Sequence, residues 1–440
     1  MRRFLLSGFL AACLISLGFC SNAQEKIIAF KGALIYPVTG SPIEKGILIV
    51  QNGKIVSVSD ASASIPANAQ VIDVSNKVII PGIVDTHSHI GGPEGGDNSN
   101  ALNPEVRVLD AVNPSSNGFK KALAGGITTA NVMPGSGHLM SGQTIYLKMR
   151  QANAIEDMLE VNEKGIYGGM KMANGTNSMR GTAGFPGTRA KSAAMDRELF
   201  LKAIEYKKKI DTAKNDAAKM PERDLRMESL VEVLEGKRIV HFHTHKMNDI
   251  LTVLRLQKEF GFRVVLHHVS EAWKVVDAIA KAGVPCSIIN IDAPGGKLEA
   301  INFSPKNGEL LEKAGVQVAI HTDDPVTDSR FLLRSAALGI REGMSRQKAL
   351  EALTIAGARM LDLGSKIGSL EKGKDADFVI LSGDPFSVYT HVEQTWVEGM
   401  KRFDRSDPSD KVFAVGGYKI YTPETNAEDI QHSEWNDENQ

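Results

Sequence analysis

The chain has 440 residues, 42% of them hydrophobic and 23% charged, and a formal net charge of −1. That composition suits a globular protein with a large core, long enough for a barrel of roughly 250 residues plus a smaller unit. The balanced charge shows no basic excess that would point to nucleic acid or anionic lipid, so the expected partner is a small molecule, with a homo-oligomer left open.

Residues 1–23 differ from the rest. Met1-Arg2-Arg3 is positive, residues 4–19 are mostly apolar, and Ser21-Asn22-Ala23 places small residues at −3 and −1. This pattern predicts a signal peptide cleaved after Ala23, and hence export, in the bacterial style to a periplasm. Leu17-Gly18-Phe19-Cys20 resembles a loose lipobox that would leave Cys20 as a lipid anchor, although Phe19 fits that pattern poorly. The apolar run is short for a membrane span, and no other run approaches that length. Of the three cysteines, Cys13 and Cys20 lie in this segment, so a mature chain from Gln24 holds Cys286 alone and no internal disulfide.

Residues 24–80 read as short strands: IIAFKGALIY, GILIVQNGKIVSVSD and VIDVSNKVII. Asn52-Gly53 between two apolar runs predicts a hairpin. Residues 78–90, VIIPGIVDTHSHI, begin as a strand, break at Pro81-Gly82, and end in Asp85-Thr86-His87-Ser88-His89. Residues i and i+2 of a strand face one side, so His87 and His89 offer two imidazoles to one point, as a divalent metal requires.

Further apolar strands alternate with helical patterns, as a parallel α/β fold requires. With residues 78–89 as the first, they fall at 126–133, 142–149, 166–172, 238–245, 263–268, 285–290 and 317–323. Eight strands is the number for a (β/α)8 barrel, whose active site lies at the strands' C-terminal ends. A Gly- and Asn-rich loop at 91–103 is expected to border that mouth. Residues 190–236 are charged and helical and read as a solvated pair on the exterior. Residues 366–420 return to strands, and 421–440 form a polar tail.

Several polar residues fall at the expected mouth. In the fifth strand His241, His243 and His245 share a face. In the sixth, Val264, Leu266 and His268 share one face, which would turn His267 toward the helices. In the eighth, Ala319, His321 and Asp323 share a face, which leaves Asp324 to turn away and cap the next segment. Lys171 ends the fourth strand, where a bare ammonium would be costly to bury. His138 and Gln143 lie in a Gly-rich loop, and Arg180 and Arg189 follow the fourth strand. Any of these last four could hold a substrate carboxylate, and each could equally be solvated.

The stretch PGIVDTHSH resembles the Pro-Gly-hydrophobic-Val-Asp-x-His-x-His signature of the amidohydrolase superfamily. GSLEKGKDADFVIL resembles the segment by which that superfamily returns to its N-terminal β-sandwich. The resemblance runs from about residue 26 to 403 and is strongest to the imidazolonepropionase-like and prolidase-like branch. It implies a (β/α)8 TIM-like barrel at 81–365 and a small β-sandwich built from both chain ends. It also implies metal ligands at His87, His89, His243, His268 and Asp323. Lys171 would be a bridging ligand once carboxylated, because the alternative glutamate is replaced by Thr176 in Gly175-Thr176-Asn177. His245 would support the ligands or face the substrate, and His241 would be structural; of the four loop candidates read from the residues, His138 and Arg180 are the ones expected at the substrate. One or two divalent ions are implied, zinc by default, with iron, manganese or cobalt fitting the same ligands.

The implied reaction is hydrolysis of an amide C–N bond in a dipeptide or N-acyl amino acid, with Asp323 carrying the proton. The alternatives are a cyclic-amide hydrolase or deaminase of imidazolonepropionase type, a non-catalytic periplasmic metal- or ligand-binding protein, and a structural envelope protein. Binding alone does not need the proton carrier Asp323, and a structural protein would purify without metal.

Overall fold

The computed structural model describes residues 26–214, 216–291 and 297–416, and their fold is mixed α/β. The signal segment, the Cys20 motif and the 421–440 tail lie outside the described residues.

Five strands come first: β1 (Ile27–Ile35), β2 (Ile43–Gln51), β3 (Lys54–Ser59), β4 (Gln70–Asp73) and β5 (Val78–Pro81). β2 and β3 form the predicted hairpin, with Asn52 at φ 52° and Gly53 at φ 74°, the left-handed pair that a tight two-residue turn demands. β6 (Ile83–Ser88), β7 (Ile127–Val132), β8 (Met140–Gln143), β9 (Ile145–Lys148), β10 (Met170–Ala173), β11 (Val240–Thr244), β12 (Val264–His268), β13 (Cys286–Ile288) and β14 (Val318–Ile320) follow. β15 (Phe378–Leu381), β16 (Val392–Val397) and β17 (Met400–Asp404) close the chain.

Both chain ends enter one eight-stranded sheet, in the order β17-β16-β15-β5-β1-β2-β3 with β4 beside β1. The join is the antiparallel pair β15 and β5, where Val379 faces Ile80. The sequence predicted a small β-sandwich built from both chain ends here; the strands of both ends do join, in one hydrogen-bonded ladder. Phe30, Phe378 and Trp396 fasten the two ends on one face, their ring centroids 4.8–5.6 Å apart.

The remaining strands form a three-stranded sheet, β6-β7-β9, and a six-stranded sheet, β14-β13-β12-β11-β10-β8. All eight predicted strand positions are occupied, but the third runs the other way. β8 and β9 are one length of chain interrupted at Thr144, and it lies antiparallel to β7 on one side and to β10 on the other. The cause is chain length. Seven residues separate β7 from β8, and a parallel crossover needs about a dozen or more. The two sheets approach again at the other edge, where the Asp323 N–H donates to the His87 carbonyl (2.9 Å) and the Thr322 N–H to Asp85 Oδ1 (3.1 Å).

Helices cover the outer faces of these strands. Val240, Phe242, Val264, Leu266, Val318 and Ile320 pack into the large core with them. Ile239, Val265 and Ala319 form a separate inner cluster with Ala356 and Met360. The expected exterior pair is α2 (Arg189–Ala213) and α3 (Leu225–Leu234), after α1 (Asn117–Ala124). Each has a side-chain N-cap, Ser116 for α1, Thr188 for α2 and Asp224 for α3. Among the described residues no helix is long and apolar enough to cross a membrane.

Candidate active site

The inner parity of each strand decides what reaches the centre. On β11 it carries His241 and His243 in line with Ile239. On β12 it carries Val265 and His267, because Val264 and Leu266 belong to the outer core. The predicted phase of β12 is therefore inverted, and His267 points inward, its Nδ1 3.2 Å from His87 Nδ1. His268 still reaches the centre because the strand ends on it. Its φ of 68°, followed by 44° at Val269, swings the ring round beside His243, with ring centroids 4.4 Å apart. Asp323 is likewise left-handed, at φ 52°. Non-glycine residues held in that region cost free energy and gather at functional sites.

His87, His89, Lys171 and Asp323 meet closely. Asp323 Oδ1 lies 3.0 Å from His89 Nε2 and 3.2 Å from His87 Nε2. The Lys171 ammonium is 3.0 Å from His87 Nε2 and also touches Met133 Sδ. His268 Nδ1 is 3.9 Å from Asp323 Oδ2.

The His89 Nδ1–H donates to the Met133 carbonyl at 2.7 Å. A carbonyl only accepts, so a neutral His89 turns a lone pair at Nε2 toward a carboxylate oxygen. Two lone-pair atoms 3.0 Å apart require a proton or a cation between them. Among the described residues the buried His243 Nδ1 and His268 Nε2 have no hydrogen-bond partner; with the Asn177 amide donating to His243 Nε2 at 3.1 Å, the ring nitrogen left free to ligate is His268 Nε2. Three groups of side chains there could hold an ion: His87 with His267 and His321, His243 with His245 and His268, and His87 with His268 and Asp323.

Electrostatics agree with ligand use. Burial, with help from Lys171 and neighbouring imidazoles, holds His87, His243, His267 and His268 well below the usual imidazole range. Burial likewise pushes His241 down to about 3. Metal ligation needs this neutral form. Burial pushes Asp85 the other way, up to about 7, against hydrogen bonds from Thr322 and from the His87 N–H.

The other candidates divide. His245 joins the cluster, its Nδ1 2.8 Å from Ser270 Oγ and its ring stacked on His268. His138 and Arg180 both pack on Phe185, the guanidinium 4.6 Å from the ring centroid, and Arg180 also donates to Asn98 of the 91–103 loop. Arg189 is taken up by Asp249 and Glu299, and Gln143 donates to the Pro104 carbonyl, so both have structural partners. Asp324 does cap the next segment, accepting from the Ser329 N–H (2.7 Å) and pairing with Lys121 (3.0 Å).

Sequence reasoning missed the supports. Asn177 Nδ2 lies 3.1 Å from His243 Nε2 and 2.8 Å from Ser136 Oγ, and Met133 orients His89. Their signal was placement in loops directly after inner strands.

The sequence profile of the Amidohydrolase family matches residues 78–404. The chain belongs to the amidohydrolase family. It is a hydrolase acting on carbon–nitrogen bonds, which sets aside the pure binding and envelope readings. An amidohydrolase structure from Thermotoga maritima is 34% identical with a TM-score of 0.81, the match covering 86% of this chain and all of that one. Imidazolonepropionase from Picrophilus torridus is 24% identical across 81% of this chain and 92% of its own length. Amidohydrolase tasK from Hapsidospora irregularis is 27% identical across 82% of this chain, but this chain spans only 40% of that protein. A prolidase structure complexed with N-methylphosphonate-L-proline shares the fold alone, at 17% identity and a TM-score of 0.55.

Proposed function

We propose that this amidohydrolase is an exported, metal-dependent enzyme that cleaves the amide bond of a dipeptide or N-acyl amino acid. The observation that carries the metal reading is the approach of His89 Nε2 and His87 Nε2 to the same Asp323 oxygen, at 3.0 and 3.2 Å, while His89 Nδ1 is engaged by the Met133 carbonyl. His87, His89 and Asp323 would hold one divalent ion, His243 and His268 a second, with Lys171 between them as a carboxylated bridge. Zinc suits this donor set. The strands that carry them are read as one (β/α)8 barrel, its two sheets joined through residues 140–148 and through the Asp323–His87 backbone bond, with the sheet of the chain ends as a small sandwich-type unit.

Bound there, a divalent cation supplies positive charge that polarises a carbonyl and acidifies water. Asp323, 3.0 Å from His89 Nε2 and 3.2 Å from His87 Nε2, would take the proton of the attacking water and deliver it to the departing nitrogen. Burial of the histidines excludes bulk water from the exchange. At the mouth, the contacts of Arg180 among the described residues are with the uncharged Asn98 and Phe185. Its guanidinium therefore suits a substrate's free carboxylate.

Export rests on residues 1–23. A second reading, cyclic-amide hydrolysis or deamination, is favoured by the imidazolonepropionase relative. A panel of dipeptides, N-acyl amino acids and cyclic amides, run as purified, after chelation and after Zn²⁺ return, separates the readings. Chelator-sensitive release of free amino acid supports the first. Turnover confined to cyclic amides, or ammonia release, selects the second.

A further inference from the structure

Three histidines stand behind the proposed ligands without a role in the reaction. They form two hydrogen-bonded chains. In the first, His87 Nδ1 is 3.2 Å from His267 Nδ1, His267 Nε2 is 3.0 Å from His241 Nδ1, and His241 Nε2 is 3.4 Å from the Tyr146 hydroxyl. In the second, His268 Nδ1 is 3.2 Å from His321 Nε2, His321 Nδ1 is 2.7 Å from Ser287 Oγ, and Ser287 Oγ is 2.6 Å from Thr86 Oγ1. All eight side chains of the two chains are buried, and they are imidazoles and hydroxyls.

A neutral imidazole has one N–H and one lone pair. Each nitrogen–nitrogen link therefore holds one proton, and each chain runs in one direction. If His87 donates from Nδ1 to His267, then His267 donates from Nε2 to His241, and His241 from Nε2 to the Tyr146 oxygen. That direction leaves a lone pair on His87 Nε2, beside Asp323. The reverse direction puts a proton on His87 Nε2. The second chain has the same logic: a donating His268 Nδ1 leaves its unpartnered Nε2 as a lone pair, and His321 passes the sense on through its own Nδ1–H to Ser287.

We propose that His267 and His321 are positioning residues, which accept the Nδ1 protons of His87 and His268 and so hold both rings with Nε2 turned to the cation. Leucine would fill the same interior without any hydrogen-bond demand, so packing alone does not account for two more buried imidazoles. The inference rests on the proposed metal reading.

The test uses the full chain loaded with Zn²⁺. Long-range ¹H–¹⁵N correlation spectra should show His267 protonated at Nε2 and His321 at Nδ1. Zn²⁺ affinity, read by competition with a chromophoric chelator, should fall about 10–100-fold in His267→Leu and in His321→Leu. His267→Gln should recover most of the loss, because its amide can accept on one side and donate on the other. Unchanged affinity in both leucine variants overturns the inference, as does an Nδ1–H on His267 in the loaded protein. If the leucine variants fail to fold, the wild-type tautomers decide alone. A wild-type chain that binds no Zn²⁺ overturns the metal reading itself, an outcome distinct from normal binding with the wrong tautomers.

Discussion

The molecule buries ionisable groups at both ends of its inner strands and treats them in opposite ways. At the C-terminal ends, His89 faces Asp323 and the nitrogens His243 Nδ1 and His268 Nε2 lack hydrogen-bond partners among the described residues. At the other end Lys148, fully buried on β9, pairs with Asp375, with Asp377 at 3.2 Å, with Glu398 at 3.5 Å and with Glu160 at 3.7 Å. Arg150 adds bonds to Glu160 (3.0 Å) and Glu398 (2.5 Å). Three acids of this cluster could by themselves surround an ion, but Lys148 and Arg150 already supply the positive charge. Burial pulls the Lys148 ammonium down, yet Asp377, Glu160 and Asp375 together push it above its usual range. One end is a lock between the inner strands and the sheet of the chain ends; the other leaves buried ring nitrogens without hydrogen-bond partners among the described residues. Buried charge that is paired holds structure, and buried donors left unpaired mark where a ligand belongs.

The contrast can be broken at either end. Asp323→Asn should lower turnover about 10²–10⁴-fold while leaving the denaturation midpoint nearly unchanged, since asparagine tolerates the left-handed backbone there. Steady-state kinetics beside a urea melt would check both. Lys148→Met should do the reverse. Stranding buried carboxylates costs about 3–5 kcal/mol, to be seen in urea unfolding, with the turnover of the remaining folded protein close to normal.

A pH measurement sharpens the same comparison. Asp85 is held near 7 when folded and titrates near 3.8 when not. Between those values the folded state binds the extra proton, so this group lowers stability as pH rises from about 4 to about 7. Chelated wild-type protein should lose part of its stability between pH 5 and pH 7.5, and Asp85→Asn should lose less. The smallest expected effect is at the mouth: Arg180→Gln should raise KM roughly 10-fold for substrates with a free carboxylate, the scale of one charged hydrogen bond, with kcat and fold retained. An equal KM for carboxylate and amide substrates would remove Arg180 from recognition.

Much of the site was legible because local chemistry carries it. His87-Ser88-His89 announces itself through strand alternation, and Asn52-Gly53 through its turn. Periodicity located all eight inner strands, but not the direction of the third, which depends on the seven-residue link after β7. The phase of β12 also escaped, because two adjacent histidines offer both parities and the left-handed turn at His268 brings both inside. The Lys148 lock was invisible for a different reason: Asp375, Asp377 and Glu398 lie more than 200 residues away in sequence, and only the fold brings them together.

The most direct test of the central claim is the metal content of the purified chain by elemental analysis, before and after chelation, with His243→Ala and His89→Ala beside the wild type. The account predicts two divalent ions per chain, reduced by each substitution, and hydrolysis that disappears with the metal and returns with Zn²⁺. A folded wild-type chain that takes up no ion, or that hydrolyses its substrates undiminished after complete chelation, would contradict it.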